Sequence, residues 1–239
     1  MKTCLGVLGL SIKREKNGAQ FELLVPQLSV FFGQTLAVVG ASGCGKSTLL
    51  DMLALILRPR EAESFVLHTS RHEEDLLKAS PSHLAEIRGR HIGYVLQSGG
   101  LLSFLTVYEN IILPGRLLGL PLNILDLRAN RLAERLDISG QLAKKPPYLS
   151  GGQRQRVAIA RALIHAPELV LADEPTAAVD QDSAKEICAI FKSVVQEAGS
   201  ALVIVSHDQG LMEQMADRMI TFQVEKRGQN AVYSRLVGN

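Results

Sequence analysis

The chain has 239 residues, of which 46% are hydrophobic and 21% are charged, and its formal net charge is +2. This composition is ordinary for a globular protein with a sizeable core, and the nearly balanced charge gives no electrostatic case for nucleic-acid binding. The longest apolar run, residues 49–57, is shorter than the ~20 residues that a bilayer-spanning helix needs. The short apolar run before Lys13 does not fit a signal peptide. Three widely spaced cysteines predict reduced thiols in a cytosolic protein.

Residues 1–39 have the character of β-strands. We predict strands at 5–12, 21–25 and 28–32, with a charged turn at 13–18. Pro26 indicates a sheet edge or a bulge, because proline cannot donate a hydrogen bond to a neighbouring strand. The segment therefore predicts a small antiparallel layer beside an α/β core.

A glycine-rich loop follows the apolar run at residues 36–39 and precedes a predicted helix. It fits the pattern G-x-x-x-x-G-K-[ST] at every fixed position and consists of Gly40, Ala41, Ser42, Gly43, Cys44, Gly45, Lys46, Ser47 and Thr48. Glycines let backbone N–H groups approach a polyphosphate, and the following helix offers its positive end. We expect Lys46 to reach the β- and γ-phosphates and Ser47 to bind Mg²⁺. A plain connection between a strand and a helix is the alternative.

Polar residues follow three further apolar strands. Residues 91–96 end at Gln97, residues 169–172 end at Asp173 and Glu174, and residues 201–205 lead to His207. Two carboxylates beside a buried strand are costly unless they are paired or bind a metal. Asp173 therefore fits a Mg²⁺ contact, and Glu174 fits the group that orients or deprotonates an attacking water. Taken singly, Gln97 and His207 could also be local caps at strand ends.

A second glycine-rich loop, Leu149-Ser150-Gly151-Gly152-Gln153, precedes another predicted helix. It could contact the phosphates of a nucleotide held by another copy, or it could simply be a well-capped helix start. Residues 98–154 before that helix predict a helical insertion, interrupted at Pro114 and Pro121. Its apolar face could be core or a surface for a partner.

Three histidines, at positions 68, 72 and 83, show no metal-ligand spacing. We interpret them as residues of a solvated surface.

In this order the motifs resemble those of ATP-binding cassette (ABC) domains, over essentially the whole chain. The resemblance implies an α/β fold: a P-loop NTPase (RecA-like), mostly parallel sheet with an N-terminal antiparallel β layer and an inserted helical subdomain. It also implies a single domain, with 1–97 and 155–239 as core and 98–154 as subdomain. Residues 88–97 and 105–110 look most like the lipoprotein-release and macrolide-export group (LolD and MacB).

The resemblance implies ATP and Mg²⁺ as ligands and ATP hydrolysis as the activity. The phosphate loop, Gln97, His207 and the second loop would contact nucleotide, and Ser47, Gln97 and Asp173 would hold the metal. Glu174 would be the catalytic base, assisted by Lys46 and by His207 as a γ-phosphate switch. The second loop would act across a head-to-tail dimer, formed with an identical copy or a paired ABC subunit.

The same resemblance implies a membrane partner. A separate transmembrane permease would dock near residues 98–114, with the chain peripheral on the cytoplasmic face of the inner membrane. A DNA-repair ATPase of this class would carry long coiled coils that are missing here, and a P-loop kinase or GTPase would leave residues 149–153 and His207 unexplained.

Two features depart from the family or raise a further hypothesis. Family members usually stack adenine on an aromatic ring in the early charged turn, but residues 12–16 contain none, and Phe21 is the nearest ring. Base stacking is therefore open, and nucleotide selectivity is expected to be loose. Oxidation of Cys44 could block ATP binding, or the thiol could be an inert small side chain.

Overall fold

The computed structural model describes residues 1–16, 18–177, 179–226 and 231–238. Within these residues the strands are β1 Thr3–Lys16, β2 Ala19–Phe31, β3 Thr35–Val39, β4 Ser64–His68, β5 Glu73–Asp75, β6 Ile92–Val95, β7 Leu169–Asp173, β8 Ala201–Ser206, β9 Arg218–Lys226 and β10 Ala231–Val237. The α-helices are α1 Lys46–Leu53, α2 Pro81–His91, α3 Val107–Leu117, α4 Leu122–Arg135, α5 Gly151–Leu163, α6 Gln181–Glu197 and α7 Gln209–Met215. No described helix is both long and apolar enough to cross a bilayer.

All described strands belong to one mixed sheet, in the order β5-β4-β1-β2-β10-β9-β3-β8-β7-β6. The strands β3, β8, β7 and β6 run parallel to their neighbours, whereas β1, β2, β4 and β5 pair antiparallel. The α/β fold class with its parallel core is therefore confirmed. Parallel strands need covered faces, and alternate residues of β3, β7 and β8 pack into two separate hydrophobic clusters on opposite faces of the sheet.

The antiparallel strands form the predicted N-terminal layer, but this layer is continuous with the parallel strands. β10 pairs parallel with β2 and antiparallel with β9, and so joins them to the same sheet as the parallel strands. The predicted turn at 13–18 is wrong over most of its length, because β1 continues to Lys16 in register with β2. Pro26 lies beyond the part of β2 that pairs with β10, which fits its predicted place at a locally open edge.

The helices differ from the sequence expectations at two places. The polar segment before residue 91 contains α2, which Ser80 caps by accepting a hydrogen bond from the His83 N–H at 3.2 Å. Pro114 does not interrupt a helix but lies inside α3, whereas Pro121 does precede α4. The proposed boundary after residue 154 falls within α5.

The predicted closing hairpin is present as the antiparallel pair β9 and β10. Its proposed turn at residues 226–228 lies largely outside the described residues, which end at Lys226 and resume at Ala231.

Gly93 on β6 allows a close contact between the strand and α5. A Cβ atom at this position would lie 2.3 Å from the Ala162 carbonyl oxygen and 3.1 Å from Pro167 Cγ. We expect Gly93→Ala to lower the free energy of unfolding by roughly 2 kcal/mol or more, because a backbone atom has to move. Urea denaturation measures the change. Gly140→Ala is the control, since nothing lies within 4 Å of its added Cβ, and an equal loss in both variants would contradict the explanation.

Candidate active site

Four motifs meet at the carboxyl ends of neighbouring parallel strands. The phosphate loop follows β3, His207 follows β8, Glu174 follows β7 and Gln97 lies two residues after β6. Ligands of open α/β sheets bind at this edge. Here it contains a pocket of about 1150 Å³, lined by the phosphate loop, Gln97, Glu174 and His207. The structure therefore brings these sequence-predicted residues together.

The phosphate loop has the shape that its glycines permit. Gly43 and Gly45 have φ angles of 79° and 109°, which favour glycine. Lys46 is the first residue of α1 and is only 7% exposed. Its ammonium donates hydrogen bonds to the carbonyl oxygens of Gly40 at 2.8 Å and Ala41 at 3.2 Å. The loop thus wraps around a positive charge at the N-terminus of a helix, a site suited to an anion.

Three contacts hold the Glu174 carboxylate, one with Lys46 and two with His207. One carboxylate oxygen, Oε1, lies 3.6 Å from Lys46 Nζ, and Oε2 lies 2.6 Å from His207 Nδ1 and accepts the His207 backbone N–H at 3.4 Å. Its φ of 46° is unusual for a residue with a side chain, and its N–H donates to the Val205 carbonyl at 3.0 Å. Such backbone strain costs about 1–3 kcal/mol and is common at functional sites. The strained turn places the carboxylate on the pocket wall.

Asp173 and Ser47 form the oxygen-rich part of the site. Ser47 Oγ donates to Asp173 Oδ1 at 3.3 Å. Burial raises the pKa of Asp173 above its ordinary value, and the carboxylates of Glu174 and Asp51 add to the shift. A hydroxyl, a carboxylate and the amide oxygen of nearby Gln97 are the donors that a hard divalent cation prefers. The set therefore fits a magnesium ion.

A rigid loop runs from Gln97 to α3. The side-chain amide of Asn110, fully buried, donates to the carbonyls of Leu102 and Thr106 and accepts the Leu102 N–H at 2.8 Å. The Arg161 guanidinium donates to the Gly99 and Gly100 carbonyls, each at 2.7 Å. Leu96 and Phe104 remain 39% and 68% exposed. Hydrogen bonds from Asn110 and Arg161 therefore hold the backbone of the loop, and the apolar side chains of Leu96 and Phe104 are exposed to solvent.

The second glycine-rich loop lies at the start of α5. Ser150 and Gln153 form a capping box, with the Ser150 hydroxyl accepting the Gln153 N–H at 3.2 Å and Gln153 Oε1 accepting the Ser150 N–H at 3.0 Å. Ser150, Gly151, Gly152 and Gln153 are not among the residues that line the pocket. The loop is thus a well-capped helix start, and its contact with a nucleotide held by another copy stays a prediction.

Cys44 points away from the pocket into the fold. Its side chain is buried, and burial raises the pKa of its thiol, although Lys46 opposes the shift. A protonated, covered thiol is a poor nucleophile, so the surroundings favour the inert interpretation. The Cys44 carbonyl accepts a hydrogen bond from Ser234 Oγ on β10 at 2.5 Å.

The histidines of the β4–α2 region pair with glutamates. His68 contacts Glu73, and Glu74 contacts both His72 and His83. Among the described residues no group of three His, Cys, Asp or Glu side chains could hold a metal ion. The interpretation as a solvated, ion-paired surface fits this arrangement.

Sequence reasoning missed two kinds of residue at the site. Asn110 and Arg161 fix the loop after Gln97. In the sequence, the sign that could have revealed them is a polar residue on the otherwise apolar face of a predicted helix. The second kind comes from strand ends far away in the sequence, among them Arg14, Lys226 and Val232. No local pattern marks these, because the sheet order alone brings them together.

Known proteins resemble this chain in sequence and in structure. The sequence model of the ABC transporter family matches residues 25–177. The chain belongs to the ABC transporter family. This cassette is 38% identical over 196 residues to the lipoprotein-releasing system ATP-binding protein LolD of Shewanella oneidensis, covering 82% of the chain and 83% of LolD. It is 40% identical to the macrolide export ATP-binding/permease protein MacB of Haemophilus ducreyi, but spans only 27% of that protein.

Solved structures agree with this assignment. The dimeric bacterial ABC transporter cassette MJ0796 matches with a TM-score of 0.74 and 28% identity, covering 91% of this chain and 93% of MJ0796. A post-hydrolysis MJ0796 dimer bound to ADP and Pi matches with a TM-score of 0.75, 28% identity and the same coverage. The cassette is accordingly an ATP-binding subunit and an ATPase of the transporter type, and the DNA-repair alternative is not favoured.

Asp173 should make the ligand-free protein less stable at neutral pH. Folding raises the pKa of this carboxyl group, so stability is lost as the pH rises from the unfolded pKa through the folded one. We expect Asp173→Asn to raise the melting temperature at pH 7 without nucleotide, and the gain to shrink toward pH 4. Differential scanning calorimetry across this range tests it. Asp182→Asn, at an exposed carboxylate in the first turn of α6, should show no gain; equal curves for both variants would contradict the prediction.

Proposed function

We propose that this cassette binds ATP with Mg²⁺ in the pocket after β3, hydrolyses it as one half of a head-to-tail dimer, and drives a transmembrane permease. The observation that carries the proposal is the contact chain Lys46–Glu174–His207 next to the Ser47–Asp173 pair. These residues place in one pocket a cation that can bind phosphate, a carboxylate that can accept a proton from water, and oxygen atoms that can bind a metal ion.

Each residue has a role that its position supports. Backbone N–H groups of residues 40–48 and the Lys46 ammonium would bind the phosphates, and Ser47, Gln97 and Asp173 would hold Mg²⁺. The ion, when bound, neutralises charge on the transferring phosphoryl group. Glu174 accepts a proton from the attacking water. His207 contacts the Glu174 carboxylate and so would orient it, beside the place where a γ-phosphate bound to Lys46 would lie.

The position of the second glycine-rich loop supports the proposed dimer. Ser150 and Gly152 lie at the N-terminus of α5 and outside the pocket of their own copy. A helix N-terminus with free N–H groups attracts phosphate. The dimeric state of MJ0796 supports a pairing in which each pocket is completed by the partner's loop.

The permease would dock on the loop after Gln97, within residues 98–114. Phe104 in this segment is exposed, as is Leu96 just before it, and Asn110 and Arg161 hold the backbone of the loop. Because this surface adjoins Gln97 in the chain, a movement of the docked permease would displace Gln97. The likeness to LolD and MacB supports a permease of their class, which would place the cassette on the cytoplasmic face of the membrane.

Glu174→Gln should abolish hydrolysis while keeping nucleotide binding. The amide cannot take a proton from water, so we expect a loss of kcat of about 10²-fold or more. Binding should persist because Lys46 and the loop are unchanged. Malachite-green phosphate release measures the activity.

The same variant should stay dimeric in ATP and Mg²⁺ on gel filtration. Glu213→Gln, at an exposed glutamate on α7, is the matched control and should keep full activity. Wild-type turnover by the Glu174 variant, or a strict monomer with bound ATP, would contradict the mechanism.

A mixing experiment tests whether each site is shared between two copies. Lys46→Ala removes the phosphate cation, and Gly152→Asp places a carboxylate where phosphate would bind. Gly152 has room for a side chain, since its Cβ would lie 3.8 Å from Ile187 and Val179, and an acid in the first helical turn favours the helix.

Each variant alone should be inactive. A 1:1 mixture should recover about a quarter of the wild-type activity, because half of the dimers then have one intact site. No recovery in a mixture that forms dimers would contradict shared sites.

A further inference from the structure

The pocket extends beyond the phosphate loop toward the ends of four strands. Its lining there includes Arg14 on β1, Phe21 on β2, Lys226 on β9 and Val232 on β10. Glu174 lies beside Lys46 in the turn after β7, and four strands separate β7 from β2 in the sheet. Since the terminal phosphate must lie near Glu174, the ribose and base of a bound nucleotide must extend toward the strand ends.

Phe21 forms a fixed apolar wall at this end. A Cβ on Gly45 would lie 2.8 Å from Phe21 Cζ, so the tip of the ring is pressed against the phosphate loop. Val232 of β10 is its register partner on the other side. Phe21 is the one aromatic side chain among the described residues that line the pocket. Any base that reaches this end of the pocket would therefore meet the same ring.

Arg14 is the register partner of Phe21 in the antiparallel pair β1–β2. Residues opposite each other in such a pair share a face, with Cβ atoms about 5 Å apart. Arg14 is exposed, and no salt bridge between described residues engages it. A planar guanidinium with several donors therefore faces the space where the base must lie.

The guanidinium distinguishes purines by their acceptors. Guanine presents two adjacent acceptors, O6 and N7, to which arginine donates two hydrogen bonds, whereas adenine presents N7 beside an amino donor. We propose that Arg14 is a specificity-determining residue at the base end of the pocket, and that it makes this cassette accept GTP at least as well as ATP. This inference rests on the proposed nucleotide site and extends its substrate class to purine nucleoside triphosphates.

The test compares both nucleotides on the full chain. Dissociation constants for ATP and GTP with Mg²⁺ are measured by isothermal titration calorimetry for the wild type and Arg14→Ala. We expect the wild type to bind GTP no more weakly than ATP. Arg14→Ala should weaken GTP binding about fivefold more than ATP binding, the lower end of the range for a bidentate contact.

Lys13→Ala is the matched control. Lys13 is the neighbouring cation on β1, pairs with Glu22 at 3.1 Å and does not line the pocket. It should leave the ratio of the two dissociation constants unchanged. Phe21→Ala should weaken both nucleotides by the same factor, and melting curves check that all variants fold.

The outcomes separate this inference from the proposed function. A wild type that binds ATP more tightly than GTP, or an Arg14→Ala change equal for both nucleotides, would overturn the role of Arg14 and leave the ATPase site intact. Binding of neither nucleotide by the folded wild type would overturn both.

Discussion

The contact between the Lys46 ammonium and the Glu174 carboxylate links the two halves of the site. Lys46 belongs to the loop after β3 and Glu174 to the turn after β7, and the two meet because β8 alone separates these strands in the sheet. Around them lie Asp173, Asp51 and His207. One buried cation thus lies among three carboxylates, and the metal ion of a bound metal–nucleotide complex would offset part of this excess of negative charge.

The parallel core and its motifs could be predicted because they are local. An apolar strand, a glycine-rich loop and a helix are adjacent in sequence, so pattern and position agree at residues 36–53. The same holds for Asp173 and Glu174 at the end of β7. Sheet geometry then brings the separate motifs to one edge.

The differences arise where tertiary contacts outweigh local signals. Pro114 continues α3 although proline normally ends a helix, since Ile111, Ile112 and Gly115 around it are buried, with Gly115 closely packed on Leu125. α2 was missed because only Leu84 and Ile87 give it an apolar side, too few for a periodic signal. The extension of β1 depends on pairing with β2, which charged residues at 13–16 do not reveal.

The contact from Ser234 to Cys44 has a consequence for biosynthesis. Ser234 is fully buried on β10, and its hydroxyl supports the backbone of the phosphate loop 190 positions earlier. β10 also pairs with the strand that carries Phe21. During translation, therefore, a nascent chain lacks part of its nucleotide pocket until β10 has left the ribosome. A polypeptide that stops before β10 lacks both this hydrogen bond and the strand beside Phe21, so its phosphate loop lies in a different environment.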